Sequence, residues 1–93
     1  MRTIERTTAF KRDYKREKKG QYRRKLDGWL SVVVSMLAND HALPDAFVDH
    51  ALSGQWKDHR DCHLKPDLVL IYRKPDTETL QLVRLGSHAE LFE

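Results

Sequence analysis

The chain has 93 residues, 17 of them basic and 14 acidic, with four glycines, three prolines and a single cysteine. A chain of this length forms one domain, here residues 1–93, and buries only about 60 to 65% of the surface its unfolded form exposes. The lone cysteine rules out an intrachain disulfide, and the first twenty residues, MRTIERTTAFKRDYKREKKG, hold no apolar run of the length a signal peptide or membrane span needs; a cytoplasmic protein without membrane association is therefore expected.

In chain order, Thr3 to Arg6 reads as a short strand. Thr7 or Thr8 then offers an N-cap for a helix that carries Phe10 and Tyr14 on one face and most of its lysines elsewhere, with Gly20 ending it. A second helix is the clearest element, because Tyr22, Leu26, Trp29, Leu30, Val33 and Leu37 recur at helical steps and form a stripe that needs a partner surface; Asn39 and Asp40 close it. The stretch from His41 to Gly54, with Pro44 and His50, has no periodicity and reads as a long loop, a kind of segment that often carries function.

After Trp56 the period changes to two. Arg60–Lys65, Leu68–Lys74 and Leu80–Leu85 read as three strands joined by Lys-Pro-Asp turns at 65–67 and 74–76, an antiparallel meander. A two-residue turn at Pro66 and Asp67 sets Lys65 opposite Leu68, His63 opposite Leu70 and Asp61 opposite Tyr72. On that register Cys62, Leu64, Val69 and Ile71 face the helices, while Asp61, His63 and Tyr72, with Asp67 at the turn, lie on an open surface. The expected fold class is α+β, with two N-terminal helices packed on one face of an antiparallel sheet in a two-layer arrangement and a short helical turn at the C-terminus.

Charge is distributed unevenly. Residues 1–25 hold eleven basic and three acidic side chains, whereas the remainder holds six basic and eleven acidic, so the N-terminal quarter is a strongly positive block. Such a block attracts polyanions by counterion release, nucleic acid above all, although a solvated helix face or a dock for an acidic protein has the same composition.

The segment HRDCHLKPD, residues 59–67, gathers two histidines, two aspartates and the only cysteine. His59, Cys62 and His63, with His50 nearby, are types that bind zinc, but strand alternation sends Cys62 and His63 to opposite faces, which argues against a shared ion. An acid/base site is the other reading: histidine, with a pKa near neutrality, can both take and give a proton.

The string Asp49-His50-x-Leu52-x-Gly54-x-Trp56-Lys57, then Arg60-Asp61-x-His63-x-x-Pro66-Asp67, Leu70-Ile71-Tyr72 and finally Gly86-x-His88-Ala89-x-Leu91-Phe92, resembles the YafQ branch of the RelE superfamily of bacterial toxins. The resemblance implies a metal-independent, ribosome-dependent messenger RNA endonuclease that needs no cofactor. It further implies neutralisation by a DinJ-like antitoxin, with operator DNA reached only through that antitoxin. Carried over residue by residue, it points to His50, Asp61, His63, Asp67, His88 and Phe92 as the active-site set. Leu68 and His59 stand where the family's pattern has aromatic residues. Cleavage of RNA without a metal uses the neighbouring 2′-hydroxyl as nucleophile, so one group must take its proton, another must protonate the leaving 5′-oxygen, and cations must steady the phosphorane. His88 is the leading candidate for proton transfer, with Asp67 or His63 as its counterpart; Lys57, Arg60 and Arg84 are candidates for phosphate contact and Phe92 for base stacking. Arg84 shares strand parity with Leu80 and Leu82, which turns it toward the helices unless a bulge intervenes. The same superfamily includes ParE-like gyrase poisons, and a catalytically idle member would act only as a nucleic-acid or antitoxin-binding module.

Overall fold

A computed structural model describes residues 1–92. The elements run β1 (Thr3–Arg6), α1 (Thr8–Glu17), α2 (Leu26–Ala38), a 3-10 turn (Asp45–Phe47), β2 (His50–Ala51), a second 3-10 turn (Gly54–Trp56), β3 (Arg60–Lys65), β4 (Leu68–Arg73), β5 (Thr79–Gly86) and α3 (His88–Phe92). The five strands form one sheet in the order β1-β5-β4-β3-β2.

The strand topology differs from the sequence expectation in two ways. The meander β3-β4-β5 is antiparallel as expected, but β1 adds to β5 in parallel, Ile4 opposite Leu80, so the sheet is mixed. The 41–54 segment is not a plain loop: it contains the first 3-10 turn and β2, which pairs His50 with Asp61 and Ala51 with Arg60. Two residues of strand give no readable alternation, so their pairing appears only in the fold.

Thr7 anchors the first helix. Its hydroxyl accepts the Phe10 N–H at 3.0 Å, the N-cap bond, and donates to the Val83 carbonyl of β5 at 2.7 Å. The helix therefore starts where β5 loses β1 as a neighbour, and it lies across the sheet with Phe10 and Asp13 buried. Helical structure ends at Glu17, three residues before Gly20, and Tyr22 precedes α2, where it packs edge-on against Trp29 with ring centroids 5.5 Å apart. Leu26, Leu30, Val33, Leu37 and Ala38 of α2 are buried, as the stripe in the sequence requires. Asp27 ties the helices together by accepting from the Tyr14 hydroxyl and from Lys18 Nζ.

The register of β3 on β4 is the decisive departure. Lys65 pairs with Leu68 as expected, but Leu64 is an extra residue, so His63 pairs with Val69, Cys62 with Leu70, Asp61 with Ile71 and Arg60 with Tyr72. Leu64, Leu68, Leu70 and Tyr72 turn toward the helices with Cys62, in one core with Phe10, Leu26, Val33, Leu80 and Leu85. Val69 and Ile71, expected on that side, lie on the other face instead. There they form a second apolar cluster with Val83 and Leu91, covered by Leu52, Trp56 and Phe92. β4 is thus buried on both faces, which accounts for its unbroken run LVLIY.

Replacing Thr7 with alanine removes both the cap and the bond to Val83. The expected cost is about 1–2 kcal/mol, seen as a fall in Tm of roughly 4–8 °C per kcal/mol in a domain of this size; Thr7→Ser should restore most of it in the same thermal-melting assay.

Candidate active site

The reactive side chains lie on the sheet face opposite α1 and α2. β2 contributes His50, β3 contributes Asp61 and His63, the β3–β4 turn contributes Asp67, and α3 contributes His88 and Phe92. Their rings form a row. His50 and His63 have centroids 6.4 Å apart, His63 and His88 5.1 Å in an edge-to-face arrangement, and His88 and Phe92 6.0 Å.

Two of the imidazoles have their tautomer set by neighbours that only accept. His50 Nδ1–H donates to the Val48 carbonyl at 2.9 Å, which leaves Nε2 as the free nitrogen. Val48 holds that carbonyl with φ at +49°, a left-handed conformation costly for a β-branched residue, of a kind concentrated at functional sites. His88 Nδ1–H donates to Asp67 Oδ1 at 3.2 Å, and the His88 backbone N–H reaches the same oxygen at 3.1 Å. These bonds from the His88 backbone and ring hold the Asp67 carboxyl below the usual carboxylate range, so it is ionised at neutral pH. A carboxylate on Nδ1 of a half-exposed imidazole orients the ring and steadies a proton on it, leaving Nε2 for exchange.

Asp61 is different. Its side chain is only 3% exposed, and its Oδ1 lies 3.1 Å from His50 Nδ1, whose hydrogen is directed at Val48 instead. Among the described residues that oxygen accepts no hydrogen bond. Burial pushes the Asp61 carboxyl up, opposed by the nearby imidazoles of His50, His63 and His88. Asp61 therefore lies as a buried carboxyl beneath the histidine row, with one oxygen that no donor among the described residues reaches.

The remaining candidates are placed less simply. Phe92 covers Val69, Ile71 and Val83 beside His88, half-buried with its ring available at the end of the row. Lys57 is exposed in the turn before β3, its carbonyl taken by His59 Nδ1 at 3.0 Å. Arg60 has the parity of Cys62, not of Asp61, and its Nε is held by Asp49 at 3.3 Å; Tyr72, expected on the open surface, turns the same way and donates to Asp49 at 2.6 Å. A bulge does intervene in β5, where Tyr72 pairs with Leu82 and Ile71 with Arg84, and Arg84 Nε is bound to Asp13 of α1 at 2.6 Å. Sequence reasoning missed Asp49, which braces Tyr72 next to His50, and Trp56, which packs on the second cluster with its indole edge-on to His59 at 5.3 Å. Only their place in the Asp49-His50 and Gly54-x-Trp56 strings marked them.

The family model described as "Bacterial toxin of type II toxin-antitoxin system, YafQ" matches residues 2–93. The chain belongs to the YafQ toxin family. It is 37% identical over 91 residues to the mRNA interferase toxin YafQ of Escherichia coli K12, covering 96% of this chain and 98% of that one. Among solved structures, a copper-bound mutant toxin from Helicobacter pylori superposes with a TM-score of 0.90 at 38% identity, covering 99% of this chain and all of the other. YafQ in the E. coli DinJ–YafQ complex gives 0.85 at 36% identity, with both chains fully covered.

The copper in that Helicobacter pylori toxin raises the question of whether this chain could hold an ion. Among the described residues no three His, Cys, Asp or Glu side chains come together as ligands, and Cys62 is buried in the core on the opposite face, its thiol pushed up by burial. The Nδ1 atoms of His50 and His88 already have partners, which leaves only their Nε2 atoms open to a ligand.

Because Asp61 is raised, its ionisation costs stability that appears as pH climbs from below the unfolded carboxyl value through the higher folded one. Asp61→Asn is therefore expected to melt above the wild type at pH 7, with the difference shrinking as the pH falls to about 3, where Asp61 is protonated in both the folded and the unfolded chain. A lower Tm for the variant at pH 7 would contradict the unpartnered placement.

Proposed function

We propose that this chain is a ribosome-dependent messenger RNA endonuclease of a type II toxin–antitoxin system, cleaving by 2′-hydroxyl attack with side-chain acid/base catalysis. The observation that carries the reading is the row His50, His63, His88 above the buried Asp61, with His88 bonded to Asp67. Its E. coli relative bears the name mRNA interferase toxin.

In this reading the 2′-hydroxyl loses its proton to a neutral imidazole as its oxygen bonds to the adjacent phosphorus. The P–O5′ bond breaks, and an imidazolium gives its proton to the departing 5′-oxygen, leaving a 2′,3′-cyclic phosphate and a 5′-hydroxyl. His88 takes one of these roles through Nε2. His63, its neighbour at 5.1 Å, takes the other in preference to Asp67, since an ionised carboxylate bonded to His88 has no proton to give and serves to orient the ring. Asp61 stabilises the protonated row, His50 completes it, and Phe92 supplies an aromatic face for a base. Lys57 is the freest of the proposed phosphate contacts; Arg60 and Arg84 would have to share their charge with Asp49 and Asp13.

The positive block then has a use. Lys11, Arg12, Lys15, Lys19, Arg23, Arg24 and Lys25 are all exposed, on the layer opposite the histidines, where they can hold ribosomal RNA around the site. A DinJ-like antitoxin is the proposed partner, by analogy with the E. coli complex. The groove between α1 and α2, apolar at Phe10, Leu30 and Val34 and rimmed by Arg6, Lys11 and Lys15, suits an acidic amphipathic segment of it.

The test is to express wild type and His88→Ala, follow growth, and map the 5′ ends of messenger RNA fragments on translating ribosomes. The variant is expected to lose cleavage by at least about 10²-fold, the scale of a lost proton-transfer group. Equal toxicity from both, or altered DNA supercoiling without RNA cuts, would favour the gyrase-poison class instead. Binding of the inactive variant to ribosomes should also weaken with salt, with a log–log slope of about −3 or steeper if four or more phosphates are contacted; indifference to salt would remove the basic block from the interface.

A further inference from the structure

The sheet ends and α3 begins at Gly86, and an arginine from the opposite layer reaches this junction. Arg16 of α1 donates through Nη2 to the Leu85 carbonyl at 2.8 Å and through Nη1 to the buried Asp13 at 2.9 Å. Its Nε lies 2.9 Å from Glu90 Oε2 and 3.0 Å from Glu17. The contact is close: a Cβ added at Gly86 would sit 2.7 Å from Arg16 Nη2 and 3.0 Å from Glu90 Oε1.

Glu90 is the hinge of this arrangement. Its Oε1 accepts the Ser87 N–H at 2.9 Å while Ser87 Oγ accepts the Glu90 N–H at 3.2 Å, a reciprocal capping box that sets the first turn of α3. His88 is the next residue after the cap. Its ring is oriented by one bond of 3.2 Å to Asp67 of the β3–β4 turn, so where the imidazole stands also depends on where the first turn of α3 is held. The second constraint comes from Arg16, which joins Leu85, the Glu90 side chain and, through Asp13, the backbone N–H of Leu85 at 3.0 Å into one rigid connection.

We infer that Arg16 is a positioning residue for His88: its guanidinium, threaded between Asp13, the Leu85 carbonyl and Glu90, fixes where the first turn of α3 presents the imidazole. The inference rests on the reading of His88 as a proton-transfer group. It assigns Arg16 a role apart from the lysines and arginines of the same segment proposed to hold RNA, since its guanidinium is taken up by Asp13, the Leu85 carbonyl, Glu17 and Glu90. It also gives a reason for glycine at position 86, where any side chain would displace the guanidinium.

Two variants test it. Glu90→Gln keeps an oxygen for the Ser87 N–H and loses only the ion pair with Arg16; Arg16→Met removes the guanidinium at similar length. Ring resonances of His50, His63 and His88 are followed by proton–carbon NMR on the isolated protein, and KM and kcat are measured for messenger RNA cleavage on ribosomes. Both variants are expected to shift the His88 ring signal while leaving that of His50 in place, and to lower kcat by about tenfold with KM unchanged, as a small misplacement of a catalytic group does. Wild-type His88 signals and kcat in both variants would overturn the inference, as would equal shifts of all three histidines with a loss of Tm, which mark a merely structural role. Should His88→Ala itself cleave normally, the reading of His88 as a proton-transfer group fails, whereas the NMR comparison still decides whether Arg16 places His88.

Discussion

The reactive face depends on one extra residue in a strand. Leu64 bulges from β3, and by doing so it brings Leu64 and Leu68 to the same side of the sheet. The larger side chains Leu68, Leu70 and Tyr72 then fill the space beneath the helices, while Val69 and Ile71 form an apolar floor on the far side. Asp61 and His63 stand beside that floor, and α3 covers part of it with Leu91 and Phe92. A regular hairpin would pair His63 with Leu70 and Asp61 with Tyr72 and exchange the two sets of β4 side chains, because a slip of one residue reverses the face of every side chain.

Two buried carboxylates show how this small domain divides structural from reactive charge. Asp13 loses hydration on burial, which alone would push it up, but Arg84, the Leu85 N–H and Arg16 outweigh that cost and hold it below the usual carboxylate range. Asp61 is as deeply buried, yet its neighbours are histidines that carry charge only when protonated, so burial wins and its carboxyl is pushed up. The first is a fully satisfied joint between α1 and β5. The second keeps a carboxylate oxygen without a donor and stores unfavourable energy that a protonated imidazole releases, the pattern expected where stability is exchanged for function.

Much of this architecture was legible from the chain. The stripe on α2, the cap at Thr7, the alternating strands after Trp56 and the Pro66-Asp67 turn all rest on local chemistry, and the structure has each of them. His50, Asp61, His63, Asp67, His88 and Phe92 were singled out by the resemblance to the YafQ family, and the fold gathers them on one face from four separate elements. What was misread was register and parity: Tyr72 and Arg60 turn away toward Asp49, Val69 and Ile71 turn toward the site, and β1 pairs in parallel. Each of these depends on a bulge or on a pairing between distant segments, neither of which leaves a periodic trace.

The sequence by itself determined the local elements, the polarity of the chain and the kinds of group available for chemistry, because helix stripes, strand alternation, caps and turns are set by neighbours a few residues apart. Only the tertiary structure decided which of those groups meet. β2 brings His50 over Asp61, α3 brings His88 to Asp67 and His63, and Arg16 crosses from α1 to brace the turn that carries His88. These contacts join residues up to about seventy positions apart, as in Arg16 with Leu85, and their geometry follows from how two cores share one sheet rather than from any local preference.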